Sequence, residues 1–233
     1  MVKTNVSDIK DINFGQEVAN MLGAKVGQAA NIIDPYEFVF DLCYTLDPHD
    51  HGCPIKRFPQ QDYIKVLIKE WLTCSMMLVV KSRQMIVSWL FCALHLWLAT
   101  QYKGQIIYFI SKKEDDAGLA RQLSLLSRVK FMYDRLPPKA KIRHKLANKP
   151  PKLSFPTMES EISGLSQDSD AVRSYTASAI MCDEWSFQER AEETYAAMNA
   201  TLEGGGRLVG VSTPNGKRNL FYRLVHDVKK EDD

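Results

Sequence analysis

The sequence lacks any apolar run long enough to cross a bilayer. Its most apolar stretch, Leu90–Ala99, has ten residues, whereas a spanning helix needs about 20. A secretory signal is not indicated either, because Met1–Lys10 is polar and no apolar segment follows it. We therefore expect no membrane contact and an intracellular protein.

Two other common signatures are missing. The five cysteines form no C-x-x-C pair, and at least three lie in apolar runs, which indicates reduced, packed thiols and a cytoplasmic setting. His49, His51 and Cys53 alternate, but no second group of ligands stands nearby, so we expect a polar loop rather than a four-ligand metal site. The net charge of +2 is too balanced to indicate nucleic-acid binding by itself.

The sequence does contain a strand–turn–helix pattern at Met76–Ser88. A polar turn that opens on a helix N-terminus presents backbone N–H groups and a partial positive charge to an anion. The usual phosphate-binding loop reads G-x-x-x-x-G-K-[ST], and here only Ser88 matches, with Lys81, Ile86 and Val87 at the glycine, glycine and lysine positions. On this pattern alone an ordinary strand–turn–helix is the better explanation, so a divergent phosphate loop needs support from downstream residues.

Strands alternate with helices over most of the chain, which predicts an α/β fold with a mainly parallel sheet covered on both faces. Asp34-Pro35 starts a helix that Asp47-Pro48 ends, and Lys152–Ser163 forms a hairpin near the sheet edge. The other predicted helices are Asp62–Leu72, Glu114–Tyr133, Ser186–Leu202 and Asn219–Val228; the other strands are Gln105–Ser111, Ala177–Cys182 and Arg207–Ser212, and Gly164–Ser174 is a loop.

Polar residues follow three of the predicted strands. Lys81–Arg83, Asp183-Glu184 and Ser212-Thr213 each stand at a carboxyl end, where ligands bind in such sheets. Two adjacent carboxylates after an apolar strand suit a nucleotide hydrolase, with Asp183 holding magnesium through water and Glu184 activating the attacking water. Chance or a helix N-cap also produces such an Asp-Glu pair.

Two further features admit two explanations each. Gln61 stands just before a predicted helix, where its amide could contact an adenine edge or simply lie on the surface. Between Arg128 and Lys152 there are nine Lys or Arg against one acid, Asp134. This basic segment could contact a phosphate backbone, or it could be a solvated loop or a protein-docking surface.

The ordered set of motifs resembles the ATPase domain of tailed-phage large terminase subunits, the motors that pump DNA into empty capsids. The motifs are Pro59-x-Gln61, Lys81-Ser-Arg-Gln-Met-x-x-Ser88, the strand into Asp183-Glu184, and Ser212-Thr213-Pro214-Asn215-Gly216. Some members of that family carry the loop lysine at the front, as Lys81 stands here, whereas Ile86 departs from the glycine that most members keep. The resemblance implies a RecA-like P-loop NTPase of the ASCE class.

The resemblance also implies cofactors and residue roles. ATP and Mg2+ would be bound, with Gln61 on adenine, Ser88 and Asp183 on the metal, and Ser212 and Thr213 coupling hydrolysis to DNA movement. Glu184 would be catalytic, and Arg173 would act in trans as an arginine finger, unless it forms a local salt bridge with Asp168 or Asp170. The loop residues expected to hold the phosphates are Lys81, Ser82, Arg83, Gln84 and Ser88.

Partners and domain limits follow from the same resemblance. We expect double-stranded DNA, a portal and a small terminase subunit as partners, in the host cytoplasm, with a ring of subunits on the capsid and a monomer in isolation. Residues 1–33 would be an arm or a docked helix, 34–228 the ATPase domain and 229–233 a charged tail, with no nuclease domain or activity. The alternatives are another P-loop translocase or helicase, and a catalytically silent docking module.

Overall fold

The computed structural model describes residues 32–167 and 177–227. The expected arm and tail, and Arg173, lie largely or wholly outside these ranges. The helices are α1 Pro35–Glu37, α2 Asp62–Thr73, α3 Val87–Gln101, α4 Glu114–Ala117, α5 Leu125–Arg135, α6 Ala191–Glu203 and α7 Leu220–Asp227, with a π-helical turn at Phe38–Leu42. The strands are β1 Tyr44–Leu46, β2 Ile55–Arg57, β3 Met76–Val80, β4 Ile106–Ser111, β5 Lys145–Asn148, β6 Pro151–Phe155, β7 Ser160–Ser166, β8 Ala179–Asp183 and β9 Arg207–Ser212.

The central sheet has seven strands in the order β3-β9-β8-β4-β7-β6-β5. The first five run parallel, whereas β6 and β5 are antiparallel additions at one edge. Val80 pairs with Ser212 and Asp183 pairs with Val211, so β3, β9 and β8 end at the same edge of the sheet. The predicted mainly parallel α/β fold is confirmed.

Alternate residues of the parallel strands pack into two separate apolar clusters. Val209 and Phe109 belong to the cluster that includes α3, whereas Leu208 and Ile110 belong to the cluster that includes Trp185. This alternation follows from the two-residue period of a strand, and it confirms that both faces are covered. α3 is buried along nearly its whole length, which explains why its sequence is apolar on every side.

The first predicted helix starts where expected but ends early. Asp34 caps α1, because its carboxylate accepts hydrogen bonds from the N–H groups of Tyr36 and Glu37. The prediction that the helix continues to Asp47 was wrong. The π-helical turn ends at Leu42, and the next residues form β1, which pairs antiparallel with β2. The paired strands take the backbone hydrogen bonds that a longer helix would have used.

The predicted helix Glu114–Tyr133 is also wrong, because two helices, α4 and α5, replace it. Gly118 ends α4 against β6, where an added Cβ would lie only 2.8 Å from Cγ of Pro151. The Ser124 hydroxyl then bonds the carbonyls of Gly118 and Arg121, at 2.6 and 2.7 Å. These side-chain-to-backbone bonds stabilise a turn in place of a continuous helix.

Smaller differences concern the later boundaries. β7 runs through Gly164 to Ser166, so the predicted loop at Gly164–Ser174 was wrong at its start. A 3-10 turn at Trp185–Phe187 precedes α6, so the predicted helix Ser186–Leu202 starts too early. The predicted hairpin Lys152–Ser163 is confirmed as β6 and β7, although the outermost strand is β5. In the described part of the chain, no helix has the length and apolar character required to traverse a bilayer.

Candidate functional site

The loop after β3 has a left-handed backbone where a glycine would be expected. Ile86 immediately precedes α3 with φ 57° and ψ 4°, and Gln84 has φ 63°. This conformation costs a residue with a Cβ about 1–2 kcal/mol. Ile86 is held there because its side chain packs against the core and because the hydroxyl of Tyr63 donates to the carbonyl of Met85 at 3.0 Å. The loop therefore keeps a glycine-like turn without the glycine.

The N-terminus of α3 opens into this loop, and no acidic residue of its own first turn faces it. Among the described residues no side chain caps the helix, and its first turn contains no acidic residue. The free N–H groups of a helix start carry a partial positive charge. The backbone N–H of Lys81 donates to the carbonyl of Ser212 at 3.0 Å, which fixes the front of the loop to the end of β9. An anion-binding geometry results.

Two residues, Lys81 after β3 and Thr213 after β9, contact Glu184, which follows β8. The Lys81 ammonium lies 2.8 Å from Oε1 of Glu184. The Thr213 hydroxyl and backbone N–H both donate to Oε2, at 3.0 and 3.3 Å. Burial raises the pKa of Glu184, but the hydrogen bond and charge of Lys81 and the bonds from Thr213 outweigh it, so the net pKa is lowered. Glu184 is thus ionised and oriented.

Asp183 and Ser88 form a second pair beside the first. The Ser88 hydroxyl donates to Oδ1 of Asp183 at 2.9 Å, and both residues are buried. Burial raises the pKa of Asp183, while the nearby charges of Arg128 and Lys81 partly oppose that rise. A buried carboxylate whose ionisation is disfavoured, next to a hydroxyl, suits a cation such as Mg2+, which prefers oxygen ligands. These residues therefore fit the expected metal.

The segment after β8 is tied to the end of β9. The Ser212 hydroxyl accepts a hydrogen bond from the Ser186 N–H at 3.0 Å and donates to the Thr213 carbonyl at 2.9 Å. The Asn215 amide donates to the Ser186 carbonyl, also at 3.0 Å. Movement of the segment that holds Thr213 must therefore disturb the segment that follows Glu184.

Trp185 anchors Glu184 from the opposite side. Its side chain is fully buried against Tyr195 and Phe221, with ring centroids 5.8 and 6.0 Å away. The indole lies directly over Gly210 of β9, where no larger residue would fit. The position of Glu184 is thus set by packing beneath the sheet edge as well as by Lys81 and Thr213.

Two cavities flank these carboxylates and share Asp183, Glu184, Arg128 and Leu123 in their walls. The first, of about 590 Å³, lies between the loop that joins β3 to α3, called the phosphate-type loop below, and the turn after β1. The second, of about 530 Å³, lies toward Arg83 and Thr213. Both volumes are in the range of small-molecule sites.

The structure brings most of the predicted site residues together. Lys81, Gln84 and Ser88 line the first cavity, and Arg83 and Thr213 line the second. Gln61 and Ser82 are exposed and line neither cavity. Ser212 is buried behind Thr213.

Two parts of the site escaped the sequence analysis. Thr45–His49 form a wall of the first cavity, although no sequence pattern indicates that β1 approaches the loop. Arg128 was assigned only to the basic segment, yet it faces both cavities. A signal was present, because Arg128 interrupts the buried positions Leu125, Leu126 and Val129 of α5.

The chain shares its fold with the ATPase domains of phage large terminases. The HK97 bacteriophage large terminase aligns with a TM-score of 0.68 at 14% identity, over 85% of this chain and 41% of that one. The large terminase ATPase domain of Thermus phage P74-26 gives 0.53 at 19%, over 72% and 69%. The large terminase of another thermophilic bacteriophage, in complex with ATP-gamma-S, gives 0.56 at 14%, over 74% and 43%.

These likenesses are structural. No protein-family model and no curated protein matches the sequence. The chain spans less than half the length of the HK97 large terminase and of the terminase solved with ATP-gamma-S. Identities of this size establish a common fold, and function has to be argued from the site.

Proposed function

We propose that the chain is the ATPase domain of a motor that packages double-stranded DNA into a viral procapsid. The observation that carries this proposal is the meeting of Lys81, Glu184 and Thr213 beside the Ser88–Asp183 pair, at the carboxyl ends of neighbouring parallel strands. The fold shared with large terminase ATPase domains supports the same assignment.

Each residue has a chemical role in this proposal. Lys81 and the N-terminus of α3 bind the β- and γ-phosphates, and Arg83 adds a second charge. Glu184, held ionised by Lys81 and Thr213, accepts a proton from the attacking water. Ser88 and Asp183 would hold Mg2+, which neutralises charge on the phosphate oxygens when bound.

Thr213 connects the chemistry to movement. When nucleotide draws the Lys81 ammonium toward phosphate, Glu184 loses one of its two partners, and its bond to Thr213 changes in strength. The network through Ser212, Ser186 and Asn215 passes that change to the segment before α7. This is the coupling role that the resemblance to large terminases implies for Ser212 and Thr213.

DNA is the proposed substrate of the movement. Arg143, Lys145 and Lys149 are exposed on and around β5, at the sheet edge opposite β3. None of the three forms an ion pair within the described residues. Unpaired cations on an edge hairpin suit a phosphate backbone. A portal, a small terminase subunit, Arg173 acting in trans and a ring of copies on the capsid belong to the same proposal.

The decisive experiment measures Mg2+-dependent ATP binding and hydrolysis by the wild type, Lys81→Ala and Glu184→Gln. We expect Lys81→Ala to lose binding, and Glu184→Gln to bind ATP without hydrolysing it. Lys65→Ala and Glu37→Gln serve as matched controls because both residues lie away from the cavities. Absence of nucleotide binding by the wild type at millimolar ATP would contradict the proposal and favour the docking module.

A further inference from the structure

The guanidinium of Arg128 stands at the candidate site without an ion-pair partner among the described residues. Arg128 projects from α5, between residues that are buried in the core, and lines both cavities together with Asp183 and Glu184. Its Nε is buried and has no hydrogen-bond partner in the part of the chain that the structure describes. None of the ion pairs within the described residues includes Arg128. A desolvated donor of this kind is costly unless a ligand satisfies it.

Two other cations on α5 have partners within the helix, unlike Arg128. Lys130 pairs with Asp134 at 2.6 Å, and Arg135 donates to the Phe131 carbonyl at 3.0 Å. Arg128 instead packs beside the indole of Trp89, with its guanidinium carbon 5.5 Å from the ring centroid. The Trp89 contact holds the side chain toward the cavities while leaving its N–H groups available. Arg128 is therefore placed for an anion that enters from solvent.

The other charges of the site do not fill this role. Lys81 lines the first cavity only. Arg83, Lys112 and Arg121 line the second cavity only, and Lys112 and Arg121 pair with Glu189 and Asp116. Among the cations of the described residues, Arg128 alone lines both cavities. A phosphate group in the first cavity would have Lys81, Arg128 and the N-terminus of α3 in the surrounding walls.

We propose that Arg128 is a catalytic residue that contacts the terminal phosphate of ATP within the same subunit. This inference rests on the proposed function. In hydrolysis the water oxygen bonds to the γ-phosphorus, the bond from that phosphorus to the β–γ bridging oxygen breaks, and ADP keeps the electron pair. The water proton passes to Glu184. Arg128 donates N–H bonds to the γ-phosphate oxygens as their charge redistributes, a role that suits a planar guanidinium.

The test compares ADP with ATP-gamma-S. Removing Arg128 should remove contacts to the γ-phosphate only, so Arg128→Ala should bind ADP within about threefold of wild type and bind ATP-gamma-S about 10- to 100-fold more weakly. Hydrolysis should fall at least about 10³-fold. Arg128→Lys should recover part of the ATP-gamma-S affinity but little hydrolysis, because an ammonium cannot reproduce the guanidinium fork. Arg135→Ala, an exposed arginine on the same helix, should match wild type.

A mixing experiment separates action within a subunit from action between subunits. Arg128→Ala keeps Glu184, and Glu184→Gln keeps Arg128, so mixing them restores hydrolysis only if Arg128 reaches a neighbour's nucleotide. We expect no restoration. Restored hydrolysis, equal losses of ADP and ATP-gamma-S affinity, or unchanged hydrolysis would each overturn the inference. If Arg128→Ala does not fold, the ADP-to-ATP-gamma-S ratio of Arg128→Lys decides. Failure of the wild type to bind nucleotide would instead defeat the proposed function itself.

Discussion

Replacing Gly210 by alanine should disturb the candidate site although Gly210 does not line it. It lies in the middle of β9, paired with Leu78 on one side and Cys182 on the other. A Cβ there would lie 2.6 Å from Cζ3 of Trp185, closer still to Cε3, and 3.0 Å from Cδ2 of Leu78. Atoms do not pack at such separations. Gly210→Ala must therefore displace the Trp185 ring.

The loss of stability expected for Gly210→Ala follows from the close packing around Trp185. Trp185 is fully buried between Tyr195 and Phe221, so the ring cannot move without disturbing neighbours. Overpacking of a core costs about 1–3 kcal/mol of unfolding free energy. For a chain of this size that lowers Tm by about 2–12 °C. Because Glu184 is adjacent to Trp185, hydrolysis should fall more than ATP affinity does.

Thermal unfolding and single-turnover hydrolysis measure the two effects. Gly52→Ala is the matched control, since an added Cβ there makes only an ordinary 3.6 Å contact with Asp50. Trp185→Phe removes part of the ring that the methyl group meets, so Gly210→Ala should cost less in that background than alone. A Tm for Gly210→Ala within about 1 °C of wild type, with unchanged hydrolysis, would refute the packing argument.

Three further predictions concern single side chains. Burial raises the pKa of Asp183, so its ionised form destabilises the folded state as pH rises above the ordinary carboxyl range. Asp183→Asn should therefore unfold at a higher temperature than wild type at about pH 7, with the gap closing toward about pH 4, as pH-dependent calorimetry can measure. Gln61 lines neither cavity, so Gln61→Ala should weaken ATP binding less than about threefold in titration calorimetry, whereas a tenfold loss would support the adenine contact that the resemblance implies. Ser124→Ala removes the hydroxyl that bonds the carbonyls of Gly118 and Arg121, and denaturant unfolding should show a loss of about 1 kcal/mol; no loss would mean that the bend between α4 and α5 is fixed elsewhere.

The parallel sheet and its functional edge were predictable because strong local patterns specify them. The apolar runs at Met76–Val80 and Arg207–Ser212 are too short for helices and end in polar residues. Parallel strands then bring those ends together by topology alone. The adjacency of Lys81, Glu184 and Thr213 needed no knowledge of side-chain packing.

The errors lie where distant residues decide the local structure. The break between α4 and α5 has one distant contribution, because Pro151 of β6 lies so close to Gly118 that an added Cβ would be 2.8 Å from its Cγ. A sequence window around Gly118 contains Ser124, whose hydroxyl bonds two carbonyls of the bend, but it does not contain Pro151. The role of Arg128 was hidden for a similar reason. In the sequence, Arg128 belongs to the same basic segment as the exposed cations that follow it. Only the packing of α5 against the site shows that Arg128 faces the cavities.

The strand order has a consequence for how the chain is made. Among the described strands, β9 lies between β3 and β8 and is the neighbour with which β3 pairs, so that pairing cannot form until β9 exists. Residues 81 to 206 separate Val80 from Arg207, a span of 126 residues. Chains are synthesised at about 5–20 residues per second. The apolar segment Met-Met-Leu-Val-Val of β3 is therefore made about 6–25 s before the strand with which it pairs. During that interval the unpaired edges of β3 are open to wrong pairing. The bond from the Lys81 N–H to the Ser212 carbonyl, which fixes the front of the loop, cannot form until β9 has been made.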